Sequence, residues 1–72
     1  MIVKVKDMKP GDIFRCAYGH PDNIMEAVFE KADQTDGGFT RIHYHKTETM
    51  YDNDGLDKAE LEVIGRDPHY KD

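Results

Sequence analysis

Hydrophobic residues alternate with polar residues along most of this chain, in short segments that are separated by turn-forming residues. The hydrophobic positions of this alternation are Val3 and Val5; Phe14, Cys16 and Tyr18; Met25, Ala27 and Phe29; Ile42 and Tyr44; and Leu61 and Val63, although Ile24 and Val28 give the third segment a second apolar face. A period of two places successive side chains on opposite faces of a β-strand, so the pattern predicts half-buried strands. We expect these strands at residues 2–6, 13–18, 24–32, 39–46 and 59–64.

Clusters of Gly, Pro, Asn and Asp punctuate the chain between these segments. They fall at residues 9–12, 19–22, 36–38, 53–55 and 65–68. Glycine permits a positive φ, and Pro, Asn and Asp favour turns, so each cluster predicts a reversal of the chain. Short segments between frequent turns are typical of an all-β barrel or sandwich.

Two segments leave a helix open as an alternative. The apolar residues at 24, 25, 28 and 29 also fit a helical spacing, with Asn23 as the N-terminal cap. A strand is favoured there because the turn at 36–38 then forms a hairpin with residues 39–46. A second, short helix is possible at residues 56–59, with Asp54 as its cap.

The start of the chain carries a recognisable motif. Asp7-Met8, followed after two residues by Gly11-Asp12 and then Phe14, resembles the D-[LM]-x-x-G-D-x-[FI] opening of many small SH3-like barrels, including those of short phage and bacterial proteins. The segment 61–66 is similar to their last strand, which pairs with the first. The resemblance covers only the two ends of the chain. It implies a five-stranded SH3-like barrel over residues 1–66, and it implies no activity and no site residues.

The alternation and the resemblance together predict a core and a tail. The expected core residues are Val3, Val5, Met8, Ile13, Cys16, Val28, Phe29, Ile42, Tyr44, Leu61 and Val63. Residues 67–72 lack apolar residues that would anchor them, so we expect a flexible C-terminal tail.

The composition argues against an enzyme and against export. With 72 residues the chain is one small domain, with little room for a deep cleft behind a packed core. It has no serine, and its one cysteine, Cys16, lies in an apolar alternation with nothing to activate it. A single cysteine, no signal peptide and no apolar run of about 20 residues indicate an intracellular, cytoplasmic protein without a membrane span. We expect no catalytic residues and no cofactor.

The charge is the strongest hint of a partner. The net charge is −5, which disfavours nucleic acid. Within residues 48–62, six acidic residues accompany only Lys58, and this segment is either a solvated face or a surface that docks on a basic partner. We therefore expect a binding module, typical of a phage or mobile-element accessory protein, that recognises another protein, with a homodimer also possible. The predicted contact residues are Asp52, Asp54, Asp57, Glu60 and Glu62 and an exposed row of Arg41, His43 and His45.

Two alternative functions remain open at this stage. A nucleic-acid-binding barrel would use Arg15, Arg41, His43, His45 and Tyr51, because exposed aromatic residues stack on bases. A metal-binding domain would use the two histidines, which project to one face if both lie on a strand, with Cys16 and His20 as further ligands. A calcium loop at residues 52–57 lacks the required ligand spacing, so a reverse turn is the better interpretation.

Overall fold

The computed structural model describes residues 1–18 and 20–70, with the backbone alone for residues 18 and 20–22. Over these residues the chain forms six strands, and the only helical element is a single 3₁₀ turn at Val5–Asp7. The strands are β1 (Ile2–Lys4), β2 (Asp12–Tyr18), β3 (His20–Gln34), β4 (Thr40–Tyr44), β5 (Glu48–Asp52) and β6 (Glu60–Arg66). No helix in the described part of the chain has the length and apolar character needed to cross a membrane.

The strands form one antiparallel sheet in the order β1-β6-β2-β3-β4-β5. The prediction of an all-β fold is confirmed. The sheet, however, has six strands and is not closed, so the predicted five-stranded barrel is not confirmed. The additional strand is β5. Its alternation is hard to recognise because Met50 is its only apolar inward residue and acidic residues stand at both of its ends.

The strand predicted at residues 24–32 is confirmed, because these residues lie within β3. This strand is long enough to have two partners: its first part pairs with β2, and its second part pairs with β4 after a bulge between Phe29 and Lys31. The predicted helix at 56–59 is a single turn, in which the N–H groups of Lys58 and Ala59 donate to the Gly55 carbonyl. It does not continue because the Ala59 carbonyl accepts the Val5 N–H and β6 begins at Glu60.

The core lies on one side of the sheet. Its buried apolar residues are Val5, Met8, Phe14, Ala27, Phe29, Ile42, Tyr44, Ala59 and Leu61, and the predicted residues Val3, Cys16 and Val63 pack against them half-buried. The prediction was wrong for Ile13 and Val28, which are not part of this cluster. They are partners across β2 and β3, one residue out of phase with the buried Phe14 and Ala27, so they occupy the opposite face.

The described end of the chain contacts the first turn. Gly11 has a φ of +96°, and the ring of Tyr70 lies so close that a Cβ at Gly11 would be 3.0 Å from it. The Asp67 N–H donates to the Gly11 carbonyl at 2.9 Å. Residues 67–70 of the predicted flexible tail therefore form a turn against Gly11, and Lys71 and Asp72 lie outside the described residues.

Candidate functional site

The outer side of β4 and β5 carries most of the polar residues that the sequence singled out. Along β4, Thr40, Ile42 and Tyr44 are buried, so Arg41 and His43 project to the other side of the sheet. The register then aligns Asp33, Arg41 and Tyr51 in one row across β3, β4 and β5. Phe39 precedes Arg41 by two positions, directly before β4, and its side chain is exposed. We call the surface formed by Phe39, Arg41, His43 and Tyr51 the aromatic face.

Arg41 of the aromatic face is held by a bidentate ion pair with Asp33. Its Nε donates to Oδ1 of Asp33 at 2.9 Å, and its Nη2 donates to Oδ2 at 2.7 Å. The hydrogen bond from Arg41 holds the pKa of Asp33 below its usual value, and the bond to Asp33, with a smaller contribution from Tyr51, raises the pKa of Arg41. Bidentate pairing restricts the guanidinium to one orientation, so Arg41 is ordered before any partner arrives.

Two aromatic side chains are exposed at this end of the sheet, one opposite Arg41 on β5 and one just before β4. Tyr51 is 61% exposed and Phe39 is 45% exposed. The Phe39 ring lies over the β3–β4 turn, 3.4 Å from where a Cβ on Gly37 would be. Aromatic and arginine side chains are enriched at the centres of protein interfaces, because they combine a large apolar area with few rotatable bonds and a polar group. The face thus has the composition of a protein contact surface.

The structure separates the two histidines that the sequence placed on one strand face. His43 lies on β4, and its Nε2 is buried without a hydrogen bond, 3.7 Å from Oδ1 of Asp33. His45 lies beyond the end of β4 with a φ of +49°, in the turn to β5, where its ring contacts Tyr44. The two histidines do not share a strand face because β4 ends at Tyr44, which lies between them.

The proposed metal ligands are likewise not gathered into one site. Among the side chains of residues 1–17 and 23–70, no group of three or more His, Cys, Asp or Glu is arranged to hold a metal ion. The Sγ of Cys16 lies 3.9 Å from the Sδ of Met50 on the inner side of the sheet, and burial raises the pKa of the Cys16 thiol. The side chain of His20 lies outside the described residues.

The five predicted acidic contacts lie on three different segments. Asp52 ends β5, and its Oδ1 accepts the N–H of Asp54 in the following turn. Asp57 lies 4.0 Å from Nζ of Lys6 in the connection to β6. On β6, Glu60 faces Lys4 of β1, and Glu62 forms an ion pair with Arg15. Only Asp52 and Asp54 adjoin the strands of the aromatic face, so the structure does not collect the five acids on one surface.

The basic residues of the nucleic-acid alternative are divided as well. Arg15 lies on β2 and Arg41 on β4, on opposite sides of the intervening β3. All three arginines of the chain have an acidic partner: Arg15 contacts Glu26 and Glu62, Arg41 contacts Asp33, and Arg66 contacts Asp12. A guanidinium neutralised within the chain contributes less to phosphate binding, which depends on the release of counterions.

Sequence reasoning missed a groove at the bulge of β3. The groove has a volume of about 270 Å³ and lies between the β1–β2 connection and the second part of β3. It is lined by Val5, Met8, Pro10, Phe29, Ala32 and Leu56, with Lys6, Glu30 and Lys31 also contributing. A bulge in a strand that changes partners leaves such a gap, and no local pattern in the sequence predicts the bulge.

A second depression adjoins the β4–β5 turn. It has a volume of about 490 Å³ and is lined by Glu30, Lys46, Asp67, His69 and Tyr70. Lys46 has a φ of +67°, and its N–H donates to the carboxylate of Glu30. Two successive non-glycine residues in the left-handed region suit a tight hairpin turn, so this conformation has a structural explanation.

Comparison of the chain with protein families, with curated proteins and with solved structures found no match in any of the three. The similarity of the chain ends to SH3-like barrels therefore stays a prediction. The structure itself defines a small, open, all-β domain with an exposed aromatic face at one end of its sheet.

Proposed function

We propose that this protein is a non-enzymatic binding module that recognises another protein through its aromatic face. The observation that supports the proposal best is that the exposed Tyr51 lies opposite Arg41, whose guanidinium is held by Asp33, while Phe39 is exposed just before β4. Binding then orders few side chains, so less conformational entropy is lost when the complex forms.

The acidic residues contribute charge at the rim of this contact. Asp54 is exposed beyond the end of β5, and Asp52 is half-buried beside it. Together with the net charge of −5, they favour approach of a basic surface. Rim charges act mainly on the rate of association, so the aromatic residues carry most of the affinity in this proposal.

The proposal is tested by capture of partners from a cell lysate with matched pairs of variants. Phe39→Ser with Tyr51→Ser removes the two exposed aromatic rings of the aromatic face. Ile2→Ser with Ile24→Ser removes two apolar side chains of similar exposure, 61% and 58%, from the other half of the sheet. Loss of an interface centre costs roughly 2 kcal/mol for each residue, or about a 30-fold loss of affinity.

We expect the first pair to lose the captured proteins and the control pair to retain them. Equal capture by the wild type and by both pairs would contradict the proposal. Capture that disappears after nuclease treatment and weakens steeply with salt would assign the face to nucleic acid instead.

A further inference from the structure

β5 is an edge strand of the sheet, with β4 as its partner on one side. Within residues 1–18 and 20–70, no strand pairs with its other side. An edge strand presents unpaired N–H and C=O groups, which can accept a further strand from another chain. β5 also carries Tyr51, so a strand added to it would lie directly beside the aromatic face.

The side chains of β5 divide into two sets with different chemistry. Thr49 and Tyr51 project outward, opposite His43 and Arg41. Glu48, Met50 and Asp52 project to the inner side, where Met50 is opposite the buried Ile42. The inner side of the edge is therefore an apolar position with a carboxylate two residues before it and another two residues after it.

This spacing disfavours pairing of β5 with a second copy of itself. An antiparallel pair centred on Met50 would place Glu48 of each copy opposite Asp52 of the other. A parallel pair would bring like residues side by side. Like charges at cross-strand positions are destabilising in either arrangement. Opposite charges at the same positions are stabilising, so the acids select a basic strand.

We propose that β5 accepts an extended segment of the partner protein that has Lys or Arg at two positions four residues apart and an apolar residue midway between them. The basic residues lie opposite Glu48 and Asp52, and the apolar residue lies beside Met50. The two intervening residues of the segment face outward, next to Thr49 and Tyr51. The proposal rests on the proposed function, because it specifies the kind of segment that reaches the aromatic face.

The test uses a capped synthetic peptide, Thr-Lys-Thr-Val-Thr-Lys-Thr, titrated into the isotopically labelled full chain. We expect chemical-shift changes in the amides of β5 that saturate, and slower amide exchange there. Glu48→Lys should weaken binding of this peptide about tenfold, since it reverses one of two charge pairs. A peptide with Glu in place of both Lys residues should bind the Glu48→Lys variant better than it binds the wild-type protein. Glu60→Lys, an equal charge change at an exposed position on β6, is the matched control and should leave the affinity unchanged.

A second peptide, N-methylated at the backbone nitrogens that face β5, separates strand addition from charge attraction. Strand addition predicts that methylation abolishes binding, because the main-chain hydrogen bonds are lost. Equal binding of both peptides, equal effects of Glu48→Lys and Glu60→Lys, or no binding to the wild type would each overturn the inference. The proposed function would survive these outcomes if the Phe39 and Tyr51 variant still lost its captured partners.

Discussion

Two rows of side chains on the outer side of the sheet are built alike but end differently. In the first row, Arg15 of β2 lies between Glu26 of β3 and Glu62 of β6, 3.2 and 3.8 Å from them. In the second, Arg41 of β4 lies between Asp33 of β3 and Tyr51 of β5. Each arginine thus has one acidic neighbour on β3. The second neighbour of Arg15, inside the sheet, is another acid. The second neighbour of Arg41, at the edge of the sheet, is an exposed tyrosine.

The difference shows how strand order determines which arginine is available to a partner. Arg15 has carboxylates on both sides, so its ion pairs are complete within the chain. Arg41 has one carboxylate, which orients it, and an aromatic ring, which adds contact area. Both arginines are about equally accessible, with 45% and 37% of the side chain exposed, so exposure alone does not distinguish them. The residues next to each arginine distinguish the two.

The largest expected effect is the loss of stability on truncating Phe14, which joins the two halves of the sheet through the core. Phe14 of β2 is fully buried and contacts Tyr44 of β4 edge to face, with ring centroids 6.1 Å apart. Phe14→Ala should lower the free energy of unfolding by roughly 3–5 kcal/mol, because it removes a large side chain from the core and leaves a cavity. Urea denaturation measures this loss.

Ile13→Ala is the control for that measurement. Ile13 neighbours Phe14 but lies outside the core cluster, so its truncation should cost distinctly less. Equal losses for the two variants would mean that the assignment of inner and outer faces on β2 is wrong, and the comparison of the two rows would fail with it.

The next effect concerns binding and distinguishes Arg41 from Arg15. Arg41→Ala should weaken capture of the partner at least tenfold, because Arg41 lies opposite Tyr51 in the aromatic face and arginine is enriched at the centres of interfaces. Arg15→Ala should leave capture unchanged. Both variants should have nearly the wild-type melting temperature, since exposed ion pairs add little stability. A loss of capture with Arg15→Ala that matches the loss with Arg41→Ala would remove the distinction between the rows.

The smallest effect is on the pH dependence of stability. Arg41 lowers the pKa of Asp33 in the folded protein below its value in the unfolded chain. The stabilisation is therefore fully present above the unfolded pKa and is lost as the pH falls through the folded pKa. Asp33→Asn should flatten the decline of the unfolding free energy in acid, measured by urea denaturation between neutral pH and pH values below the usual range of Asp. An acid limb as steep as that of the wild type would show that the pair contributes nothing.

Much of the fold follows from the sequence, because alternation and turn residues are local signals. They place five of the six strands, and the turn at residues 36–38 correctly favours a strand over a helix at residues 24–32. They miss β5, because an edge strand buries little and Met50 alone marks its inner side. They also misplace Ile13 and Val28, because β2 and β3 have apolar residues on both faces and periodicity does not choose between them.

The site was partly predictable. Arg41, His43 and Tyr51 stand out in the sequence by residue type, whereas the role of Asp33 depends on pairing across strands. One available signal was the hairpin itself, since Asp33 and Arg41 lie four residues before and after Gly37. The dispersion of the acidic residues was not predictable, because it depends on the path of the connection between β5 and β6. These acidic residues are close in the sequence but are not collected on one surface.

Amide hydrogen exchange of the full chain, with and without its captured partner, tests most directly whether the aromatic face and β5 form the contact. We predict that slowed exchange is confined to residues 39–52, the segment that contains the aromatic face and β5. Slowed exchange in β1, β2 or β6, with no change in β4 and β5, would contradict it.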